Sequence, residues 1–199
     1  MPENRKTQEH IDPRSPLVLD TRELGRRAGS IKRLSRPVPA PDLFGLELIG
    51  APKGAPIELD LRLESVMEGV LVSGTATVPV EGECGRCLTD FRDSVTVDIQ
   101  ELYAYPDSSS DVTSEEDEVS RLQGDLVDLE PALRDAVVLA LPPNPLCRED
   151  CPGLCPDCGM HWDELPAGHS HDQVDPRWAG LQNMIDQQSP DGATRSQEK

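Results

Sequence analysis

The segment Ile57-Glu58-Leu59-Asp60-Leu61-Arg62-Leu63-Glu64 places an apolar side chain at every second position. Because successive side chains of a β-strand point to opposite faces, this alternation predicts a strand with one buried face. Apolar residues recur from Val70 to Val80, after a turn at residues 67–69. The two segments are therefore predicted to form a half-buried β-hairpin.

A third strand is predicted to extend this hairpin. Apolar and polar residues alternate again over 94–103, which favours an antiparallel strand with one face on the core. Cys84 and Cys87 then lie in the loop that joins the second strand to the third. Shorter apolar stretches predict two further strands, over 17–19 and 126–129.

Helices are expected to pack against the sheet. The segment 23–34 is a helix candidate that Gly29 interrupts. The segment 129–141 has apolar residues at helical spacing, Asp128 as a cap, and two prolines that end it. A short terminal helix is expected over 175–185. These elements predict an α+β fold, in which a small antiparallel β-sheet with a few packed helices is followed by a C-terminal zinc-binding loop module.

Eight side chains with metal-binding chemistry underlie the predicted zinc module. They occur in pairs along the chain: Cys84, Cys87, Cys147, Cys151, Cys155, Cys158, His169 and His171. Structural zinc is held by four thiolate or imidazole ligands, and closely spaced cysteines can reach one ion without straining the backbone. Eight ligands complete two tetrahedral sets. The sequence therefore predicts two zinc ions per chain, or one ion with a spare cluster of ligands.

The residues around these pairs favour the same chemistry. Pro156 makes the turn between Cys155 and Cys158 rigid, and Gly159 can take a positive φ that aims backbone N–H groups at the sulfurs. Gly85 gives similar freedom in the first pair, where Arg86 places a cation beside the thiolates. The two histidines lie in a polar stretch that is also compatible with a solvated loop.

Two other roles for the cysteines rank below metal binding. Residues 1–21 contain no apolar stretch of the signal-peptide type, so the chain is expected to be cytoplasmic, where thiols stay reduced and disulfides are rare. Cys84 and Cys87 also lack the strand-to-helix context of a thioredoxin-like redox pair. Clustered cysteines in a reducing compartment mostly bind metal.

Length and composition suggest one main domain with a small metal module. Aromatic residues make up only 3% of the 199 residues, so the apolar core is modest and bound metal would compensate for missing burial. No apolar run is long enough to span a membrane. Four segments are predicted: a disordered tail over 1–15, an α+β core over 16–146 with the C-x-R-C loop and an acidic loop at 107–119, a cysteine and histidine metal module over 147–186, and a disordered tail over 187–199.

Charge is distributed unevenly along the chain. The net charge is −18 at pH 7, and residues 107–119 are rich in acids without a base. Six basic side chains cluster around a single glutamate and are candidates for binding phosphate or a partner: Arg22, Arg26, Arg27, Lys32, Arg33 and Arg36. They could equally form a solvated helix face. Because the acidic bulk of the molecule would repel nucleic acid, a basic protein is the alternative partner.

Three motifs, in a fixed order, resemble those of a known family. They are Glu83-Cys84-Gly85-Arg86-Cys87-Leu88 after the hairpin, Leu139-Ala140-Leu141-Pro142 at the end of the helix, and the cysteine segment 146–159. Together they resemble the YceD family of large ribosomal RNA subunit accumulation proteins, in a long, actinobacterial-like form with an extra cysteine segment. The resemblance covers roughly residues 15 to 185.

The resemblance implies a non-catalytic role in large-subunit ribosomal RNA accumulation and ribosome assembly. The implied partner is a ribosomal protein or a pre-ribosomal large-subunit particle, with rRNA contact as a further possibility and no membrane association. The alternative is a metal-dependent hydrolase or another zinc enzyme. Eight protein ligands for two ions would leave no coordination position for water, and no general base or nucleophile stands out.

The resemblance also implies how the ligands are shared. It suggests that Cys84, Cys87, Cys147 and Cys151 form one set. Many family members close the second site with a C-x-C pair, where this chain has His169-Ser170-His171; imidazoles can replace thiolates at zinc. An alternative joins the first cysteine pair to Cys155 and Cys158, and the sequence leaves both arrangements open.

Overall fold

The structure is a computed structural model that describes residues 11–108, 120–171 and 177. The chain divides into two compact units, Met1–Gly153 and Leu154–Lys199. Most of the predicted tail 1–15 and of the acidic loop 107–119 lies outside the described residues, as does the whole of the tail 187–199. The predicted helix over 175–185 is also outside them, apart from Arg177. No described helix is long and apolar enough to cross a membrane.

The first unit is built on strands in two antiparallel sheets. The strands are β1 (Val18–Asp20), β2 (Ile31–Pro39), β3 (Phe44–Gly45), β4 (Ile49–Ala51), β5 (Pro56–Ser65), β6 (Gly69–Glu83), β7 (Asp90–Ala104) and β8 (Leu126–Asp128). The larger sheet has six strands in the order β2-β5-β6-β4-β3, with β7 also paired to β6. The smaller sheet pairs β1 with β8. One α-helix, α1 (Glu130–Ala140), follows β8 directly.

The predicted hairpin is confirmed as β5 and β6. Leu59, Leu61 and Leu63 are at most 2% exposed, whereas the polar residues between them are exposed. The strands pair from Ser65 opposite Val70 down to Glu58 opposite Thr77. The alternation therefore predicts both the strand and its buried face.

Strand β6 connects most of the large sheet. It pairs with β7 over its whole length, from Gly69 opposite Ala104 to Glu83 opposite Asp90. On its other side it pairs first with β5 and then, near its end, with β4. The predicted third strand is confirmed as β7, and Cys84 follows directly after the last residue of β6.

The apolar face of the sheet is covered by the small sheet and by α1. Leu17, Val127, Leu129, Leu133 and Val137 are fully buried and belong to the same core as the β5 leucines. The short strands predicted over 17–19 and 126–129 are confirmed as β1 and β8, and the helix predicted over 129–141 is confirmed as α1. The Asp128 carboxylate accepts a hydrogen bond of 3.0 Å from the Glu130 N–H at the start of this helix.

The prediction of an α+β fold with several packed helices is wrong. Among the described residues 42% are in strands and 10% are helical, and α1 is the one α-helix. The helix predicted over 23–34 is replaced by turns and by strand β2. Gly25 and Gly29 take φ values of 66° and 87°, which end any helix there. Backbone pairing to β5 from Ile31 to Pro39 then outweighs the weak local helical pattern.

The described part of the second unit is short and has little apolar burial. It contains a bridge between Leu154 and His161 and a 3₁₀ turn at Trp162–Glu164. Of the residues described between 154 and 171, only Cys155 is buried. Apolar packing among these residues is therefore too small to hold them in one conformation.

Candidate metal centres

The first cysteine pair lies in a tight turn between β6 and β7. The Cys84 N–H donates to the Thr89 carbonyl at 3.0 Å, and the Leu88 N–H donates to the Cys84 carbonyl at 2.9 Å. Leu88 takes a φ of 59°, a left-handed conformation that L-residues other than glycine rarely adopt. The turn folds the chain so that the Cys84 and Cys87 side chains approach each other.

The loop after α1 brings the second pair to the same place. The Gly85 N–H donates to the Pro145 carbonyl at 2.8 Å, and a Cβ at position 85 would collide with the side-chain oxygen of Asn144. Arg86 donates through Nη1 to the Cys151 carbonyl at 2.9 Å. The guanidinium of Arg86 thus holds the backbone of the loop that carries Cys151. The expected placement of its charge beside the thiolates stays a prediction.

The four sulfurs of this first site have the spacing of a tetrahedral metal centre. The Sγ atoms of Cys84, Cys87, Cys147 and Cys151 all lie within 4.8 Å of one another. Cys84 Sγ is 3.8 Å from Cys151 Sγ, and Cys87 Sγ is 3.7 Å from Cys147 Sγ. A tetrahedron with Zn–S bonds of about 2.3 Å has edges of about 3.8 Å. The residues present therefore fit a metal ion of this kind.

The pKa values of these thiols are shifted in opposite directions. Burial opposes ionisation of Cys84, but backbone N–H groups of Cys147, Cys87 and Arg86 lower its pKa to about 6. Hydrogen bonds from Thr89 lower the pKa of Cys87. Desolvation and the neighbouring sulfurs raise the pKa of Cys147 to about 12. The pKa is thus lowered at two of the sulfurs, and a divalent cation would favour ionisation of all four.

The second site begins with a turn that has the same two backbone hydrogen bonds as the turn at Cys84. The Cys155 N–H donates to the Met160 carbonyl at 2.8 Å, and the Gly159 N–H donates to the Cys155 carbonyl at 2.8 Å. The positions relative to the first cysteine are the same as in the turn at Cys84. Gly159 has a φ of 71° and stands where Leu88 stands in the first turn. Two copies of one backbone turn therefore present both C-x-x-C pairs.

The histidines complete the second site. The ligand atoms of Cys155, Cys158, His169 and His171 lie within 4.8 Å of one another. Cys158 Sγ is 3.6 Å from His169 Nε2, and a tetrahedral centre with Zn–S of about 2.3 Å and Zn–N of about 2.0 Å requires about 3.5 Å. His171 Nε2 is buried without a hydrogen-bond partner among the described residues. Such an atom is costly to bury, and coordination would remove that cost.

The structure therefore gathers all eight predicted ligands into two groups of four, each of which could hold a metal ion. The grouping is the one that the family resemblance implies. The alternative set, in which Cys84 and Cys87 join Cys155 and Cys158, is not formed. Sequence reasoning missed the roles of Arg86 and Leu88. Gly159, which directly follows the second C-x-x-C pair, was the available signal for the equivalent position of Leu88.

The six basic residues singled out in the sequence do not share a helix face. Three of them form ion pairs: Arg22 with Asp20 at 2.6 Å, Lys32 with Glu23 at 2.8 Å, and Arg26 with Asp107 at 3.7 Å. The others, Arg27, Arg33 and Arg36, form no ion pair with a described residue. The region is therefore partly neutralised by its own carboxylates, and its role in binding stays a prediction.

Replacing Arg86 with glutamine is expected to weaken the first site and to spare the second. Glutamine cannot reach the carbonyls that fix the backbone around Cys151, and loss of such supporting contacts typically lowers metal affinity by about 10- to 100-fold. Competition with a chromophoric chelator should show that one of two bound ions is lost at lower chelator concentration. Arg92→Gln, which removes a surface partner of Glu81, is the control. Unchanged release from the Arg86 variant would contradict the assigned role.

The chain is similar to one family model and to several bacterial proteins. A family model described as large ribosomal RNA subunit accumulation protein YceD matches residues 72–185. The uncharacterized protein Rv2926c of Mycobacterium tuberculosis is 51% identical over 182 residues, 92% of this chain and 86% of that protein. ML1660 of Mycobacterium leprae is 49% identical, covering 90% and 81%. YlbN of Bacillus subtilis is 26% identical, covering 64% and 71%. No solved structure matches. The chain belongs to the YceD family.

Proposed function

We propose that the chain is a zinc-stabilised, non-catalytic factor that supports large-subunit ribosomal RNA accumulation and ribosome assembly. Family membership supports the process, since the family is described by that role. The observation that carries the proposal is the pair of complete four-ligand groups. Sites of this kind stabilise folds and leave the surface of the protein to bind partners.

The ligand count separates this function from that of a zinc enzyme. Catalytic zinc sites use three protein ligands and keep a fourth position for water or substrate. Each group here supplies four thiolate or imidazole ligands, so a bound ion would be closed to both. Tetrahedral sulfur-rich sites select zinc or iron. We favour zinc because its four-coordinate sites commonly mix cysteine with histidine, as the second group does.

Purified protein is expected to contain two zinc ions per chain. Elemental analysis after reducing, chelator-free purification checks this count, and a colourless sample separates zinc from iron. A cobalt-substituted sample should give tetrahedral absorption bands that do not shift when small anions are added, since no ligand position exchanges. Absence of metal would refute zinc stabilisation, and anion-dependent spectra would favour the enzyme.

The partner is expected to be a ribosomal protein or a pre-ribosomal large-subunit particle. The net charge of −18 opposes approach to RNA, and three of the six candidate basic residues already pair with carboxylates. A basic protein therefore fits the surface better than naked RNA. Direct contact with rRNA through Arg27, Arg33 and Arg36 is the alternative way of binding the particle.

The cellular role is tested by depleting the protein. The ratio of large- to small-subunit rRNA should fall, and immature large-subunit particles should accumulate in sucrose gradients. A copy of the gene with both cysteine pairs of the first site changed to serine should fail to restore the ratio. A normal ratio after complete depletion would refute the proposed function.

A further inference from the structure

A groove of about 840 Å³ lies beside the turn that carries Cys84. Its walls come from the β3–β4 turn on one side and from the end of β6 and the start of β7 on the other. Leu43 and Leu48 line it and are 54% and 45% exposed, and the partly buried Leu46 and Phe91 add to the same surface. Exposed apolar side chains gathered in one concave surface mark an interaction site more often than scattered ones do.

The rim of the groove is acidic. Glu47, Glu81, Glu83 and Asp90 line it, and Arg92 is the one basic residue in the lining. Arg92 pairs with Glu81 at 3.0 Å, whereas the other three carboxylates form no ion pair with a described residue. This concentration of negative charge would repel phosphate and attract a cationic partner.

The groove is held in shape by the strand that leads into the first metal site. The Glu83 N–H donates to the Leu48 carbonyl at 2.9 Å, and the Leu46 N–H donates to the Ile49 carbonyl at 2.8 Å. Glu83 is also the residue before Cys84. The wall that presents Leu48 is therefore attached to the backbone that a metal ion at the first site would fix, so the groove is formed before a partner arrives.

We propose that this groove binds an extended segment of a basic protein, with an apolar side chain between Leu43 and Leu48 and lysine or arginine side chains against the acidic rim. The charge of the rim selects the occupant: an acidic or neutral segment would leave three carboxylates unpaired, and a nucleic acid would be repelled. The inference rests on the proposed function in one respect, since that function takes a basic ribosomal protein as the partner. It gives the metal-stabilised fold a defined surface for its partner.

Fluorescence anisotropy with a short labelled peptide of lysine, arginine and leucine tests the groove. The double variant Leu43→Ser/Leu48→Ser is expected to weaken binding by about tenfold or more, as loss of central apolar contacts does in other interfaces. Met67→Ser is the matched control, because Met67 is 89% exposed in the β5–β6 turn and outside the groove. Equal loss in both variants, or in neither, would overturn the proposal.

The acidic rim is tested separately. Glu47→Gln/Glu83→Gln/Asp90→Asn should weaken peptide binding and flatten its dependence on salt. The control Glu58→Gln/Asp60→Asn/Asp98→Asn removes the same charge from exposed strand positions that do not line the groove. An equal effect of the two triple variants would mean that net charge alone attracts the peptide, and it would overturn the proposal.

Two further probes complete the test. A peptide with glutamate in place of lysine and arginine should not bind, and a single-stranded RNA oligonucleotide should bind more weakly than the basic peptide. Tighter binding of the RNA would overturn the proposal. Failure here is distinguishable from failure of the proposed function, because rRNA accumulation after depletion is measured without reference to the groove.

Discussion

Cys84→Ser is expected to lower the melting temperature by about 10 °C, a much larger fall than Cys158→Ser produces. Ligands of the first site are 60 and 67 residues apart in sequence, and a cross-link over loops of that size stabilises a fold by about 4 kcal/mol. For a chain of this length each kcal/mol corresponds to about 2–4 °C. The first site also fixes the end of β6, the strand that pairs with β4, β5 and β7.

Cys158→Ser is the matched control for this comparison. It removes one thiolate from the second site, whose ligands all lie between Cys155 and His171 and cross-link no part of the sheet. Calorimetry on both variants, with zinc content measured on the same samples, gives the comparison. Each variant should lose close to one ion. Equal shifts in melting temperature, or a larger shift for Cys158→Ser, would show that the first site does not stabilise the sheet.

Loss of metal from the second site is expected to unfold residues 154–171 and to leave the sheet intact. Only Cys155 is buried among these residues, so coordination is the main free energy available to order them. In Cys155→Ser, amide hydrogen exchange in this segment should approach the rate of an unstructured peptide. Exchange in β5 and β6 should stay slow.

Hydrogen exchange with mass spectrometry resolves the two regions in one experiment. Metal-replete wild-type protein is the reference, and addition of zinc to the variant is the control for simple loss of affinity. Persistent protection of residues 154–171 in metal-free protein would mean that packing alone orders them. Loss of protection in β5 as well would mean that the second site also supports the sheet.

The elements predicted correctly are those whose signal is local. Residues 57–64 alternate because one face of β5 is buried, and the prolines after Leu141 end α1 wherever it packs. The helix predicted over 23–34 is wrong because the signal that decides this segment is not local. Its conformation depends on the free edge of β5, which lies some thirty residues further along the chain and accepts Ile31–Pro39 as a neighbour. An edge strand also tolerates Pro37 and Pro39, because part of its backbone needs no partner strand.

The candidate sites divide in the same way. The C-x-x-C pairs can be predicted from local sequence, because a short spacing and a turn residue are enough to indicate two ligands. The partner of each pair is set by the fold, and only the resemblance to a known family favoured the grouping that the structure has. The groove was not predicted at all. Leu43 and Leu48 meet Glu83 and Asp90 through strand pairing, which no local pattern encodes.

The separation of the first-site ligands has a consequence for synthesis of the chain. Cys147 is made 60 residues after Cys87, which takes about 3–12 s at about 5–20 residues per second. During that interval Cys84 and Cys87 can offer an ion only two sulfurs, while β5, β6 and then β7 are already available to pair. Metal binding by all four ligands of the first site therefore cannot occur until the loop after α1 has left the ribosome, and by then the strands of the hairpin have been made. A protein proposed to serve ribosome assembly would thus gain the stability of its first site only after Cys151 has been translated.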